Sequence, residues 1–245
     1  MKAFIQADRH GDFYNVNAFL ANEGFRALGW ETAKYVDVSE IQDPDPEILV
    51  VGGIGNVRRR LDALGIAYTR GEIDYPEELL PFLGRRVWAS TLEEVFRASE
   101  TWNLFMKPRT ETKKFPGKVF REYKDFTGLV DFEQPTEVWC SEVLHFETEW
   151  RCFIRYGEIF DVRRYNGSWN NAIDTSVVQA ALEAYRSKPN ACALDFGMDS
   201  RRQMFLVEVN DGHSLGSYGM GSVSYARFLS ARWAQLTGTR DYLYF

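Results

Sequence analysis

Phe205-Leu-Val-Glu-Val-Asn-Asp-Gly-His213 sets a carboxylate and a side-chain amide inside an otherwise apolar strand pattern. Successive strand residues point to opposite faces, so Glu208 and Asn210 are expected on one side and Val207 and Val209 on the other. A carboxylate withdrawn from water is costly unless it meets a cation or a metal. Two oxygen donors two residues apart suit a hard ion such as Mg2+, which takes one or two protein oxygens and leaves its other positions to phosphate and water. The stretch therefore predicts a metal site beside a nucleotide, and the cationic side must come from elsewhere in the chain.

Working outward, Ala193-Leu-Asp-Phe-Gly197 holds another carboxylate in an apolar strand. A hairpin of Cys192–Phe196 with Met204–Asn210 across residues 197–203 would bring Asp195 onto the face of Glu208 and Asn210. Two carboxylates paired across strands repel, and a divalent cation between them removes that penalty. Upstream, Trp150–Arg155 and Glu158–Arg164 flank Tyr156-Gly157 as a second hairpin. It carries Arg151 in an apolar strand, where it needs an anion, and Arg163 and Arg164 on the returning strand, one of which must share the face of the neighbouring charge. Phe105-Met-Lys-Pro-Arg109 puts Lys107 at the end of an apolar strand. The loop that follows carries Lys113, Lys114 and a Pro-Gly turn, suited to closing over phosphate.

Each residue also has a plainer reading. Lys107 alone is a surface lysine, Arg151 could pair with Glu149 or Asp161, Asp195 could cap a turn, and His213 reads as a turn histidine. Their order along the chain makes them specific as a set.

Composition excludes several classes. The 245 residues are 45% hydrophobic and 15% aromatic, which implies a folded chain with a real core. A net charge of −6 gives no general attraction to nucleic acid. Cys140, Cys152 and Cys192 are too scattered for a zinc cluster or disulfide framework and read as core thiols in a reducing compartment. No apolar run approaches the ~20 residues of a membrane span. The polar first residues do not resemble a signal peptide, so a soluble, cytoplasmic protein without membrane or nucleic-acid partners is expected.

The fold class is mixed, α/β in the first third and α+β beyond it. Ala3–Gln6, Lys34–Val38 and Glu47–Val51 read as strands, residues 15–28 and 56–64 as helices, and Ile66–Thr69 as a further strand, a βαβ rhythm that predicts a small parallel sheet. Gly52-Gly-Ile-Gly55 lacks the third glycine of a dinucleotide loop, with Arg58 in its place, so a tight strand-to-helix turn explains it better. Residues 75–90, rich in Pro, Gly and Arg, read as a boundary, dividing the chain into 1–90 and 91–245. Thr91, with Glu94 three residues on, predicts a capping box and a short helix. Strands follow at Leu104–Lys107, Lys118–Phe120 and Val138–Val143, and helices at residues 174–187 and 224–237.

In this order the chain resembles the ATP-grasp superfamily, and more closely its divergent clade defined by two arginines and a lysine, which includes small bacterial and phage proteins and a eukaryotic translation-initiation assembly factor. The resemblance rests on Phe105-Met-Lys-Pro108, Lys113-Lys-Phe-Pro-Gly117, Ser141-Glu142, Glu149-Trp-Arg-Cys-Phe153, Asp195 and residues 206–219, with Pro116 standing where a small hydroxyl residue is expected. It implies an ATP-grasp fold behind a small N-terminal α/β domain, with ATP and Mg2+ as cofactors. By the same resemblance Lys107 and Lys113 touch nucleotide phosphates. Trp139, Cys140, Ser141, Glu142 and Val143 form the segment that reads adenine. Arg151 and Arg163 bind phosphate or an acyl phosphate, and Asp195, Glu208 and Asn210 hold the metal. The implied activity is a carboxylate–amine ligase acting on carboxylate and amine substrates. The alternatives are an ATP-binding assembly factor for a protein partner and an oxidoreductase built on the Gly52–Gly55 turn. The absence of a Ser/His/Asp or Cys/His constellation agrees with ligation, which needs no protein nucleophile.

Overall fold

The computed structural model describes residues 1–67, 73–109 and 114–245. The first third alternates β1 (Lys2–Gln6), α1 (Val16–Ala27), β2 (Glu31–Tyr35), β3 (Leu49–Val51) and α2 (Ile54–Ala63). Its strands form a parallel sheet in the order β2-β1-β3, as the βαβ rhythm predicts. The second strand lies earlier than expected. Asp37 caps a 3-10 turn at Val38–Glu40 with a reciprocal bond from Glu40, so the backbone leaves the sheet after Tyr35. Ile66 and Ala67 are not in a strand, and Tyr68 and Thr69 of that expected strand lie outside the described residues.

A 3-10 segment at Glu77–Phe82 leads into β4 (Val87–Thr91) and α3 (Leu92–Arg97), where Thr91 and Glu94 complete the expected capping box. Next come β5 (Leu104–Pro108), β6 (Lys118–Phe120) and β7 (Glu137–Ser141), which with β4 make an antiparallel sheet ordered β4-β7-β5-β6. β4 pairs with β7 from Val87↔Ser141 to Thr91↔Glu137, so a strand runs across the expected division at Ser90 and the segment read as a boundary supplies part of this sheet. The pattern hid it because its side chains are only half buried and do not alternate cleanly.

The second antiparallel sheet is ordered β11-β10-β8-β9, from β8 (Thr148–Arg155), β9 (Glu158–Gly167), β10 (Ala191–Met198) and β11 (Met204–Asp211). Both predicted hairpins are present. Tyr156 and Gly157 have φ of 50° and 79°, the left-handed pair of a tight two-residue turn. Helix α4 (Thr175–Ala184) covers one face, where Trp150, Cys152, Ile154, Leu194, Phe196, Leu206 and Val209 form a buried cluster. On the other face Phe153, Ala191 and Ala193 pack with α5 (Ser222–Thr237), which also joins α1 and the N-terminal sheet in one core. The rest of that face carries the charged residues. No helix among the described residues is long and apolar enough to cross a membrane.

Candidate active site

Four charged residues stand in one row across the second sheet. Arg163 is opposite Arg151, Arg151 opposite Asp195, and Asp195 opposite Glu208. Directly opposed residues in antiparallel strands share a face, so the hairpin geometry delivers the convergence that the sequence predicts. Arg151 donates to Asp195 through two bonds, Nε to Oδ1 at 2.8 Å and Nη2 to Oδ2 at 2.6 Å, with both side chains buried. It pairs with neither Glu149 nor Asp161. Asn210 Nδ2 lies 3.2 Å from both Asp195 Oδ2 and Glu208 Oε1. Arg163 turns along its own strand to Asp161, 2.7 Å away.

The strict alternation expected of residues 207–209 is broken. The register shifts between Asp195 and Phe196, leaving Val207 as the extra residue of a bulge, so Leu206 and Val209 both enter the α4-side core while Glu208 faces the charged row. Arg85 holds the bulge from outside, donating to Leu206 O at 2.9 Å and to Val207 O at 2.7 Å.

Lys107 approaches from the other sheet. On β5 Leu104 and Met106 turn to the α3-side core, which puts Phe105 and Lys107 on the inner face. Lys107 Nζ lies 2.5 Å from Glu208 Oε2 and 3.3 Å from Asp74 Oδ2. It also sits 4.7 Å from the centre of the Tyr75 ring, which packs edge-on to Trp139. A continuous chain of contacts thus runs Asp74–Lys107–Glu208–Asn210–Asp195–Arg151. Burial would depress the Lys107 ammonium, but Glu208, Tyr75 and Asp74 outweigh it and raise its pKa. Burial raises Glu208, and Lys107 more than reverses this, leaving it below the usual range. Asp195 ends above its usual range, because burial and the Glu208 and Glu149 carboxylates outweigh its Arg151 partner.

Asp74, Tyr75 and Arg85 escaped the sequence reading. They lie in or beside a Pro/Gly/Arg-rich stretch with no periodicity, and the contacts that tie them to the site, with Lys107, Trp139, Leu206 and Val207, come from more than thirty residues away. Of the expected adenine segment, Trp139 is opposite Lys107 on the inner face, whereas Cys140 is buried in the α3-side core. The expected strand to Val143 ends at Ser141. Glu142 instead exchanges bonds with Arg86, its Oε2 accepting from Arg86 N at 2.9 Å and its N–H donating to Arg86 O at 3.2 Å. Lys113 lies outside the described residues. His213 is buried, with Nδ1 3.0 Å from Asp211 Oδ1.

A cavity of about 760 Å3 opens beside this cluster. Its lining brings together Lys107, Asp74, Glu208 and Asn210 of the cluster, Phe105 and Phe115–Gly117, and Tyr14, Asn15, Asn17 and Gly52–Ile54 of the N-terminal third. Trp139–Val143, Arg151 and Arg163 do not line it. Among the described residues no group of three or more His, Cys, Asp or Glu side chains stands ready for a metal. Asp195 and Glu208 with the amide oxygen of Asn210 are nevertheless a hard-oxygen set of the size Mg2+ uses beside phosphate.

Residues 82–228 match the family described as ATP-grasp domain, R2K clade family 2, and the protein belongs to that family. Solved structures share its fold at low identity. A RimK domain ATP-grasp protein from Sphaerobacter thermophilus is 15% identical with a TM-score of 0.60, covering 94% of this chain and 99% of that one. The D-alanine–D-alanine ligase of Bacillus anthracis, complexed with ATP, is 13% identical with a TM-score of 0.58, covering 97% and 98%. The ATP-grasp ligase PsnB, complexed with a variant of its minimal precursor, Mg and ADP, is 13% identical with a TM-score of 0.55, covering 94% and 98%. No curated protein sequence matches the chain.

Proposed function

We propose that this protein is an ATP- and Mg2+-dependent ligase that activates a carboxylate as an acyl phosphate and joins it to an amine. The observation that carries the reading is the contact chain from Asp74 to Arg151. It gathers Asp74 from the connecting segment and Lys107, Glu208, Asn210, Asp195 and Arg151 from two sheets into one cluster that is buried at Asp74, Asp195 and Arg151 and partly buried elsewhere.

In this reading Lys107 exchanges its carboxylate partners for nucleotide phosphate oxygens, and Lys113 closes from the loop. Trp139, Cys140, Ser141, Glu142 and Val143 frame the adenine, with Glu142 first releasing Arg86. Asp195, Glu208 and Asn210 hold Mg2+, which when bound neutralises phosphate charge. The acceptor carboxylate forms an oxygen–phosphorus bond to the γ-phosphoryl group as the bond to ADP breaks and ADP leaves with the electron pair. The amine then forms the carbon–nitrogen bond and expels inorganic phosphate, losing its proton to solvent. Arg151 and Arg163 stabilise the charge on the transferred phosphoryl group. Because the protein supplies no nucleophile, its contribution is positioning and preorganised charge.

Release of ADP and phosphate from ATP and Mg2+ with pooled carboxylates and amines tests this. Strong ATP binding without ADP release from any pool would favour a nucleotide-dependent assembly role instead. The specific substrates, and a cytoplasmic location, belong to this proposal.

A further inference from the structure

The wall that the N-terminal third contributes to the cavity differs chemically from the residues around Lys107. Among the described lining residues the charges are Asp74, Lys107 and Glu208, all in the cluster above. This wall is uncharged, and the side-chain oxygens of Asn15 and Asn17 are already used. Asn15 Oδ1 accepts from Ala18 N at 3.0 Å, capping α1. Asn17 Oδ1 accepts from Ser217 N at 2.9 Å and from Ser217 Oγ at 3.0 Å, tying α1 to the loop after β11. The Nδ2 groups of Asn15 and Asn17 have no acceptor among the described residues, and neither does the buried hydroxyl oxygen of Ser214 on the same cavity. The wall therefore offers donors and asks for oxygens.

We propose that this wall binds the body of the acceptor, and that the body is an uncharged one carrying an amide carbonyl close to the reacting carboxylate, as in an N-acylated amino acid or the last residue of a short peptide. The inference rests on the ligase reading above. An ammonium beside the carboxylate, as in a free amino acid, would meet no carboxylate among the lining residues of the N-terminal third; Asp74 and Glu208 belong to the cluster around Lys107. The second anion of a dicarboxylate would meet no cation there among the described residues. Either charge would lose its hydration without compensation. A carbonyl oxygen instead satisfies the amide donors, and Phe105, Phe115 and Val51 accept the apolar remainder. The volume lies within the roughly 300–1,000 Å3 typical of small-molecule sites, enough for a terminal residue or two.

The test uses the full chain. ATP binding with Mg2+ is first measured by calorimetry. Acyl-phosphate formation is then followed by hydroxylamine trapping with pooled N-acetyl amino acids, dipeptides, free amino acids and dicarboxylates. The expected result is hydroxamate formed at least tenfold faster from the acylated and dipeptide pools than from the other two; the ratio between those first two pools distinguishes a small acylated acceptor from a peptide terminus. Asn15→Asp keeps the oxygen that caps α1 while replacing the donor, and is expected to raise the acceptor KM at least tenfold at unchanged KM for ATP. Ser214→Ala is expected to act in the same direction. ATP binding accompanied by equal rates from free amino acids or dicarboxylates, or by an unchanged acceptor KM in Asn15→Asp, overturns this inference alone, whereas ATP binding with no reaction from any pool overturns the ligase reading with it. Absence of ATP binding overturns the ligase reading and this inference with it.

Discussion

Lys107 and Glu208, 101 residues apart, meet Nζ to Oε2 at 2.5 Å and join the two antiparallel sheets through an ion pair. Their partners make the pair exchangeable: Lys107 also reaches Asp74, and Glu208 also accepts from Asn210. Glu208→Gln keeps the shape and an acceptor for Lys107 but removes the charge that a divalent cation would use. Calorimetric ATP titrations should then lose the Mg2+-dependent part of affinity, a weakening of at least tenfold, or about 1.4 kcal/mol. A folded variant whose ATP affinity still rises with Mg2+ as in the parent would remove Glu208 from the metal site.

Arg151 and Asp195 should separate stability from function. Both are buried and joined by two hydrogen bonds, so Arg151→Ala leaves a carboxylate without its cation and should cost about 3–5 kcal/mol in urea unfolding. Replacing both, Arg151→Met with Asp195→Leu, removes the stranded charge and should cost less than half as much. The double variant should still fail to form acyl phosphate. If the double variant were as unstable as the single one, packing against Tyr218, whose ring centre is 4.2 Å from the guanidinium, would matter more than the charge.

What was legible in the sequence was local or periodic. The Thr91–Glu94 capping box, the two hairpins and the convergence of Asp195, Glu208 and Asn210 follow from spacing and from the pairing of opposed residues. The bulge at Val207 was not legible. Residues 205–209 are apolar apart from Glu208 and read as a regular strand, whereas the carbonyls at the bulge are held by Arg85, 121 and 122 residues away. Asp74 and Tyr75 were hidden for the same reason, since their place depends on tertiary contacts with Lys107 and Trp139. Glu142 directly follows β7, and its partner, Arg86, belongs to a stretch that reads as a linker.

The three thiols provide an independent check on the cores. Cys140, Cys152 and Cys192 are free and buried, one in the α3-side core and two in the α4-side core, and burial pushes each pKa up to about 12. The thiolate is the reactive form, so none should react with a disulfide reagent at pH 8 in the folded protein, and all three should react on unfolding in guanidinium. Rapid modification of a single thiol in the native protein would mean that its core opens locally.

Asp211 should make stability depend on pH in a way that can be assigned to one side chain. Burial alone would raise its pKa. Arg232, donating through Nε and Nη2 at 2.6 Å each, and His213 outweigh that and hold the carboxyl well below its usual range. A folded-state pKa below the unfolded value means that the unfolded chain binds the proton more readily. The contribution is therefore present above the unfolded value of about 3.9 and is lost as pH falls toward the folded one. Asp211→Asn should lower stability at pH 7, and the gap between variant and parent should shrink steadily below about pH 4 in chemical denaturation. Because Asp211 ends β11 directly after Asn210, the same variant should loosen the loop that carries Ser214 and Ser217 toward α1. A gap that stays constant from pH 7 to pH 3 would assign the loss to packing rather than to the charge of Asp211.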